Sequence, residues 1–201
     1  MSVQLAAAAV AAAIVLSGVN ASAQDRFDVG LLLGSTSATN EGTVLQFARA
    51  TTYQATLAWR VWAGPRAKVS VEIPFIASPA FNVVPASPAL PLEYASLYLT
   101  PGVRVTAFPS APVSFFGAVG GGYARYSESK LKGDRSPNPA QRDTNTGAFA
   151  FGGGVDVRGF GWLGFRGEIR DVYTGPRNFS LATPRASVHN VVGSAGLVIR
   201  F

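Results

Sequence analysis

The sequence predicts an all-β protein: an eight-stranded antiparallel transmembrane β-barrel whose consecutive strands pair as an up-and-down meander. Three observations predict it, namely apolar residues that alternate with period two, connections that alternate between short and long, and an N-terminal segment typical of export. Of the 201 residues, 48% are hydrophobic and 14% are charged, and 22 Gly and 13 Pro interrupt any long helix. That balance excludes a disordered charged protein and a coiled coil.

The chemistry available to the chain is narrow. It has no Cys and one His, which excludes a disulfide framework, a thiolate metal site and a cysteine nucleophile. We therefore expect no catalytic residues, no metal and no cofactor. The net charge of +6 is spread over single basic residues rather than a stripe, so nucleic acid is not an expected partner.

An export signal is predicted over residues 1–23. The apolar run from Leu5 to Leu16 is shorter than the roughly twenty residues a membrane helix needs, and it precedes a small-residue site at Ala21–Ala23. Cleavage before Gln24 would leave residues 24–201 as the barrel domain. The run lacks a preceding Lys or Arg, and the alternative is an Ala-rich first helix of a cytosolic domain.

Eight stretches alternate apolar and polar residues, as strands with two different faces do. Pro101 interrupts the fourth stretch, and the glycines of the fifth leave open which of its residues face which side. The stretches are 27–33, 57–61, 69–75, 97–105, 113–126, 149–157, 163–169 and 191–201.

The connections alternate strictly in length. Residues 64–66, 109–112 and 159–161 are short, whereas 35–52, 78–93, 129–145 and 175–187 are long and polar. Outer-membrane barrels have short periplasmic turns and long outer loops, while a soluble sandwich has no physical reason to sort its loops in this way. The pattern therefore favours a membrane barrel.

One face of the strands is apolar, as lipid requires, and the other is polar. In a closed eight-stranded barrel the polar face lines an interior that side chains just fill. Buried charges are tolerated only in pairs, so we expect an ion-pair network with trapped water that plugs the barrel; the alternative is a solvent-exposed face of a soluble protein. The expected network is Asp28, Arg60, Lys68, Glu72, Arg104, Asp156, Arg158, Arg166, Glu168, Arg170 and Arg200.

Aromatic residues lie near the two ends of the predicted strands, as they do in the aromatic girdles of membrane barrels. We place Phe27, Trp62, Phe108, Phe160, Trp162 and Phe201 near the short turns, and Tyr53, Phe75, Tyr94, Tyr126 and Tyr173 near the long loops. Two prolines, Pro74 and Pro101, lie inside strands. Proline cannot donate to the ladder, so we expect each at a bulge or a rim.

The C-terminal strand ends in a spaced pattern of Ser194, Gly196, Ile199 and Phe201. This pattern is similar to the signal that the barrel assembly machinery recognises, although an aromatic residue is commoner where Ile199 stands. With the export segment and eight strands, the chain resembles the small outer-membrane barrels of the OmpX and OmpA-transmembrane-domain type. The resemblance implies a Gram-negative outer-membrane location and the assembly machinery as a partner of the last strand.

Three functions remain open. In the first, a monomeric barrel acts through its outer loops in envelope integrity, adhesion or surface interaction, in contact with outer-membrane lipid and lipopolysaccharide. In the second, glycines thin the wall for a narrow channel or a carrier of small apolar solutes; they are Gly117, Gly120, Gly121, Gly122, Gly152, Gly153 and Gly154. In the third, least favoured, Ser187, His189 and Asp171 form part of a lipid-modifying enzyme.

Overall fold

The computed structural model describes residues 26–38, 46–47, 49–84, 90–176 and 187–201. The predicted export segment and its cleavage site lie outside these residues. The described residues form ten β-strands: β1 Phe27–Ala38, β2 Gln46–Phe47, β3 Ala50–Ala63, β4 Ala67–Val84, β5 Glu93–Leu99, β6 Gly102–Ala107, β7 Val113–Glu128, β8 Asp143–Arg158, β9 Leu163–Thr174 and β10 Val188–Arg200. A search of the same residues for an apolar helix long enough to span a bilayer finds none.

The strands close into an eight-stranded antiparallel barrel. Successive strands pair in chain order, and β1 pairs with β10 from Asp28↔Arg200 to Ala38↔Asn190, which closes the sheet. β5 and β6 are two halves of one barrel strand, because both pair with β4 on one side and β7 on the other. β2 pairs only with the end of β4. The predicted up-and-down meander is confirmed.

The connections alternate in length as predicted, but the strands are longer than the sequence indicated. β4 has 18 residues and β7 and β8 have 16 each, whereas a tilted strand crosses a bilayer in about 9–11. The additional residues lie at the long-loop end, where residues such as Thr52 and Asn145 carry no apolar alternation. The long connections accordingly shrink to 39–49, 85–92, 129–142 and 175–187.

The two faces of the sheet differ as lipid and lumen require. Outward side chains such as Leu33 and Ile169 are 57% and 64% exposed, while the inward face carries polar and charged residues that are almost fully buried. The structure also settles the orientation of β7, where Phe115 and Val119 point outward and Phe116 points inward. The apolar outer face is the surface that a bilayer would cover.

The two strand prolines lie neither at a bulge nor at a rim, contrary to expectation. The pairing of β4 with β5 and β6 keeps one register across them, and the register shifts lie elsewhere, between Arg60 and Trp62 and between Ser78 and Phe81. Each proline retains its carbonyl bond: Thr100 N donates to Pro74 O at 3.5 Å, and Gly121 N donates to Pro101 O at 3.1 Å. Each ladder therefore loses a single N–H, and the barrel strand is only interrupted between β5 and β6.

Gly196 allows the closing seam to form. A Cβ on this residue would lie 2.1 Å from Leu31 O and 2.6 Å from Leu32 Cα on β1. Such contacts cannot be relieved by a side-chain rotation, since both atoms belong to the backbone. Three residues earlier on the same strand, a Cβ on Gly193 would meet nothing within 4 Å.

We predict that Gly196→Ala lowers the yield of folded barrel when the urea-unfolded chain is diluted into detergent micelles, because the added methyl group prevents β10 from approaching β1. Gly193→Ala is the matched control and should refold like the parent chain. The measurement is the fraction of protein that shifts on boiling in gel electrophoresis. Equal yields for the two variants would contradict the close approach at the seam. Because refolding uses no assembly machinery, the result does not depend on recognition of the C-terminal strand.

Candidate functional site: the barrel interior and its two ends

The charged side chains of the lumen form one connected network in its middle and at its short-turn end. Arg104, 0% exposed, lies between two carboxylates, with Nη2 3.5 Å from Asp28 Oδ2 and Nε 3.3 Å from Glu72 Oε2. Lys68 Nζ donates to Asp28 Oδ2 at 3.2 Å. Arg170 joins Glu72 to the next carboxylate: its Nη2 lies 2.7 Å from Glu72 Oε1.

The network continues around the wall through a second arginine pair. Arg166 donates from Nε and Nη2 to the two carboxylate oxygens of Asp156 at 2.7 and 2.8 Å, a bidentate geometry that only arginine supplies. Arg200 Nη2 donates to Asp156 Oδ2 at 3.3 Å. The Phe116 ring contacts both the Arg104 and the Arg166 guanidinium groups, with ring centroid distances of 5.5 and 4.8 Å. Each contact is a cation–π interaction, which favours the charge that it faces.

Glu168 is the carboxylate nearest the middle of the barrel. Its Oε1 accepts from Arg170 Nε at 2.6 Å and from Gln54 Nε2 at 2.5 Å. Ser194 Oγ in turn donates to Gln54 Oε1 at 3.0 Å. A neutral amide therefore adds a hydrogen bond to a carboxylate oxygen that already pairs with an arginine, which helps to offset the cost of burying the charge. The sequence analysis did not single out Gln54, although its position on the polar face of β3 is the signal that identifies it.

Two residues of the expected network lie apart from it. Among the described residues, Arg60 and Arg158 make no ion pair; Arg158 is exposed and its Nη2 donates to Pro109 O at 3.0 Å. Arg60 lies opposite the buried Ser70 and Arg158 lies opposite Gly164, so both residues still belong to the paired wall. Both line the short-turn mouth of the lumen rather than joining its ion pairs.

The long-loop half of the lumen is mainly aromatic, although the buried Glu128 also lies there. Phe81 and Tyr94 stack at 4.6 Å, and Tyr126 meets Tyr94 and Tyr98 edge to face at 6.2 and 5.9 Å. Tyr94 and Tyr126 are 1% and 0% exposed, so their assignment to the outer girdle was wrong: the alternation of β5 and β7 directs them inward.

The remaining girdle residues that the structure describes lie on the outside or at the rim. Phe27 stacks with Phe201 at 6.2 Å across the closing seam. The exposed members are Phe27, Trp62, Phe108, Phe160 and Trp162 at the short-turn end and Tyr53, Phe75 and Tyr173 at the long-loop end.

The connection between β7 and β8 is folded onto its neighbour. Leu92 N donates to Leu131 O at 2.9 Å and Gly133 N donates to Leu90 O at 2.9 Å, which joins it to the connection between β4 and β5. Asp134 Oδ1 accepts from Ser136 Oγ at 2.6 Å and from Ser136 N at 2.9 Å. These hydrogen bonds hold the pKa of Asp134 below its ordinary value. The described part of the long-loop end is therefore an ordered surface that carries charged side chains.

A histidine–aspartate pair lies on the outer face near the long-loop rim. His189 Nδ1 is 2.7 Å from Asp171 Oδ2, and the Tyr173 ring packs beside the imidazole at 4.8 Å. Ser187 is exposed two residues before His189. The groups that the sequence analysis named for lipid chemistry therefore share one face of the barrel.

The residues of the C-terminal pattern contribute to the lumen network, to the closing seam and to the pairing with the first strand. Ser194 belongs to the lumen network and Gly196 to the seam, while Ile199 pairs with Val29. Phe201 is tied to the first strand: its N donates to Phe27 O at 3.0 Å.

Solved structures share this fold. Neisserial surface protein A aligns with a TM-score of 0.62 at 12% identity, covering 87% of this chain and 97% of its own. OprG from Pseudomonas aeruginosa aligns with 0.52 at 12% identity, covering 88% and 96%. The N-terminal barrel domain of OprF from the same organism aligns with 0.51 at 8% identity, covering 89% and 98%. No family model and no curated sequence matches the chain. The chain has the fold of the small eight-stranded outer-membrane barrels, as the resemblance implied.

We predict that Glu168→Gln clearly lowers the thermal unfolding temperature in detergent, because it leaves Arg170 and Gln54 facing a neutral amide in the lumen. Breaking a fully buried pair costs about 3–5 kcal/mol, and we expect less here because Arg170 keeps Glu72. Asp143→Asn is the matched control: it also removes one arginine partner, Arg125, but on the exposed outer hairpin. Equal melting temperatures for the two variants would contradict a stabilising lumen network.

Proposed function

We propose that this chain is a non-enzymatic, monomeric outer-membrane protein that acts through its long-loop end, in envelope integrity, adhesion or another surface interaction. The observation that carries the proposal is the filled lumen, which leaves the folded connections as the surface available for contact. In this proposal the short turns face the periplasm, and the assembly machinery recognises the last strand. Neisserial surface protein A, the neighbour described above, is by name a surface protein.

The side chains that fill the lumen favour this proposal over a channel. Arg104, Arg166, Phe116 and the four carboxylates of the ion-pair network occupy its cross-section with direct contacts. Side chains fill an eight-stranded barrel in the same way when it holds no ligand. A solute would have to break several ion pairs to pass.

The wall glycines do not favour a lateral opening. A Cβ on Gly122 or Gly152 would lie 2.1 Å from Leu99 O or 2.3 Å from Ile169 O, so the neighbouring backbone already occupies that space. A Cβ on Gly154 would lie 2.7 Å from Phe116 Cζ. Here glycine permits close packing, which is its usual role in a strand.

The long-loop end offers charge suited to lipopolysaccharide. Lys130, Arg135 and Arg142 are exposed on or beside the folded connection between β7 and β8. Because the connection is already ordered, binding phosphate groups there costs little ordering entropy. Arg177, Arg185 and Glu41, which the sequence also places in outer loops, lie outside the described residues.

We predict that the refolded protein gives no stepwise currents in planar lipid bilayers, since the lumen network blocks the path. Insertion is checked separately by flotation with the same lipids. Reproducible conductance steps would contradict the plug and favour the channel.

We predict that the double change Lys130→Gln and Arg142→Gln weakens binding of the detergent-solubilised protein to lipopolysaccharide several-fold, because it removes two exposed cations from the long-loop end. Arg66→Gln, in the short turn between β3 and β4, is the control and should bind like the parent. Surface plasmon resonance at fixed ionic strength measures the difference. Equal loss in the control would show that binding depends only on net charge.

A second candidate function is acyl hydrolysis at the outer face, and the 2.7 Å contact between His189 and Asp171 favours it. A carboxylate on Nδ1 orients an imidazole so that Nε2 can accept a proton from a hydroxyl. In the sequence, the hydroxyl-bearing residue that most closely precedes His189 is Ser187.

Our main proposal predicts that His189→Ala leaves the acyl pattern of lipid A and phospholipids unchanged when the protein is incubated with outer-membrane lipid. Val191→Ala, on the same outward face of β10, controls for local disturbance. Mass spectrometry of the lipids decides: an acyl chain released by the parent and the control but not by His189→Ala would establish the second candidate instead.

A further inference from the structure

The short-turn mouth of the barrel contains a cavity with four cations and no carboxylate in its lining. Its volume is about 190 Å³ and it is lined by Arg60, Lys68, Arg158 and Arg200, with Ser110 and Ser114 beside them. A single water needs only about 10–15 Å³ on such a measure. The cavity therefore has room for a small ligand.

The charge of this mouth is only partly compensated. Lys68 and Arg200 have partners deeper in the lumen, Asp28 at 3.2 Å and Asp156 at 3.3 Å. Arg60 and Arg158 pair with no carboxylate among the described residues. The short turns at 64–66, 108–112 and 159–162 contain no Asp or Glu at all. Two positive charges thus face one cavity without a counter-charge.

The donors at the mouth suit a tetrahedral oxyanion. Three guanidinium forks and two serine hydroxyls offer more donors than the two oxygens of a carboxylate can accept, whereas a phosphate has three or four acceptor oxygens. A phosphomonoester carries about −1.5 to −2 charges at pH 7, which matches the two unpaired arginines. Arg158 is held at the rim by its bond to Pro109 O, so one fork is already positioned.

We propose that the short-turn mouth is a binding site for a phosphomonoester group, independent of the long-loop surface. The group can belong to a soluble phosphate or to a lipid phosphomonoester headgroup from the adjacent leaflet, since the cavity lies at the rim where both have access. The filled lumen above it confines the ligand to the mouth.

The test is calorimetric titration of the full chain, folded in neutral detergent at about 0.15 M salt, where distant surface charges are screened. One arm uses inorganic phosphate and the other a short-chain phosphatidic acid. We expect one site per chain; binding of both probes supports the phosphate site, binding of inorganic phosphate alone indicates a soluble source, and binding of phosphatidic acid alone indicates the lipid headgroup. Absence of binding in both arms would overturn the proposal.

The variant Arg60→Gln with Arg158→Gln should weaken binding at least tenfold, whereas Lys130→Gln with Arg142→Gln, which removes equal charge at the opposite end, should not. Arg158→Lys tests the contribution of the guanidinium geometry, because it keeps the positive charge but removes the planar pair of donors, and it should weaken binding several-fold. The shift on boiling shows that each variant is folded, and if the double variant does not fold, Arg158→Gln alone replaces it. Unchanged affinity in the arginine variants, or equal loss in the control, would overturn the assignment.

Discussion

The closure of the sheet is the constraint on which the rest of the molecule depends. Once β10 pairs with β1, every second side chain enters a lumen too narrow for bulk water. A charge confined there is costly unless it is paired and hydrogen-bonded. In the ion-pair network each carboxylate therefore contacts at least one arginine, as Asp28 and Glu72 contact Arg104, Asp156 contacts Arg166, and Glu168 contacts Arg170.

The lumen divides into a charged part and an aromatic part because its two ends differ in what covers them. At the long-loop end Leu90, which precedes β5, is buried with Phe81, Tyr94 and Tyr126 in one apolar cluster. A charged pair in this part of the lumen would lose its contact with water and would have no opening through which to regain it. At the short-turn end the turns are too brief to cover the lumen, so cations such as Arg200 remain near solvent.

The sequence predicted the fold and most of the lumen charges for one physical reason: alternation with period two follows directly from strand geometry. Alternation predicts the direction of a side chain but not whether a partner lies within reach. Arg60 and Arg158 line the short-turn mouth of the lumen, as their parity predicts, but neither makes an ion pair among the described residues. Tyr94 and Tyr126 were placed in the outer girdle because tyrosine suits both an interface and a lumen, and the glycines of β7 concealed which face was inward.

Separation of the two ends by the lumen network has a further consequence. The folded connection between β7 and β8 and the short-turn mouth are joined by the paired strands, which run the whole distance. Coupling between distant sites requires an element with two arrangements. A closed sheet cannot change register without breaking its seam, so we expect the two ends to act independently. A change of sequence in the outer connections can alter what the surface binds while the ion pairs, the seam and the mouth keep their geometry, because these are formed by strand residues and short turns.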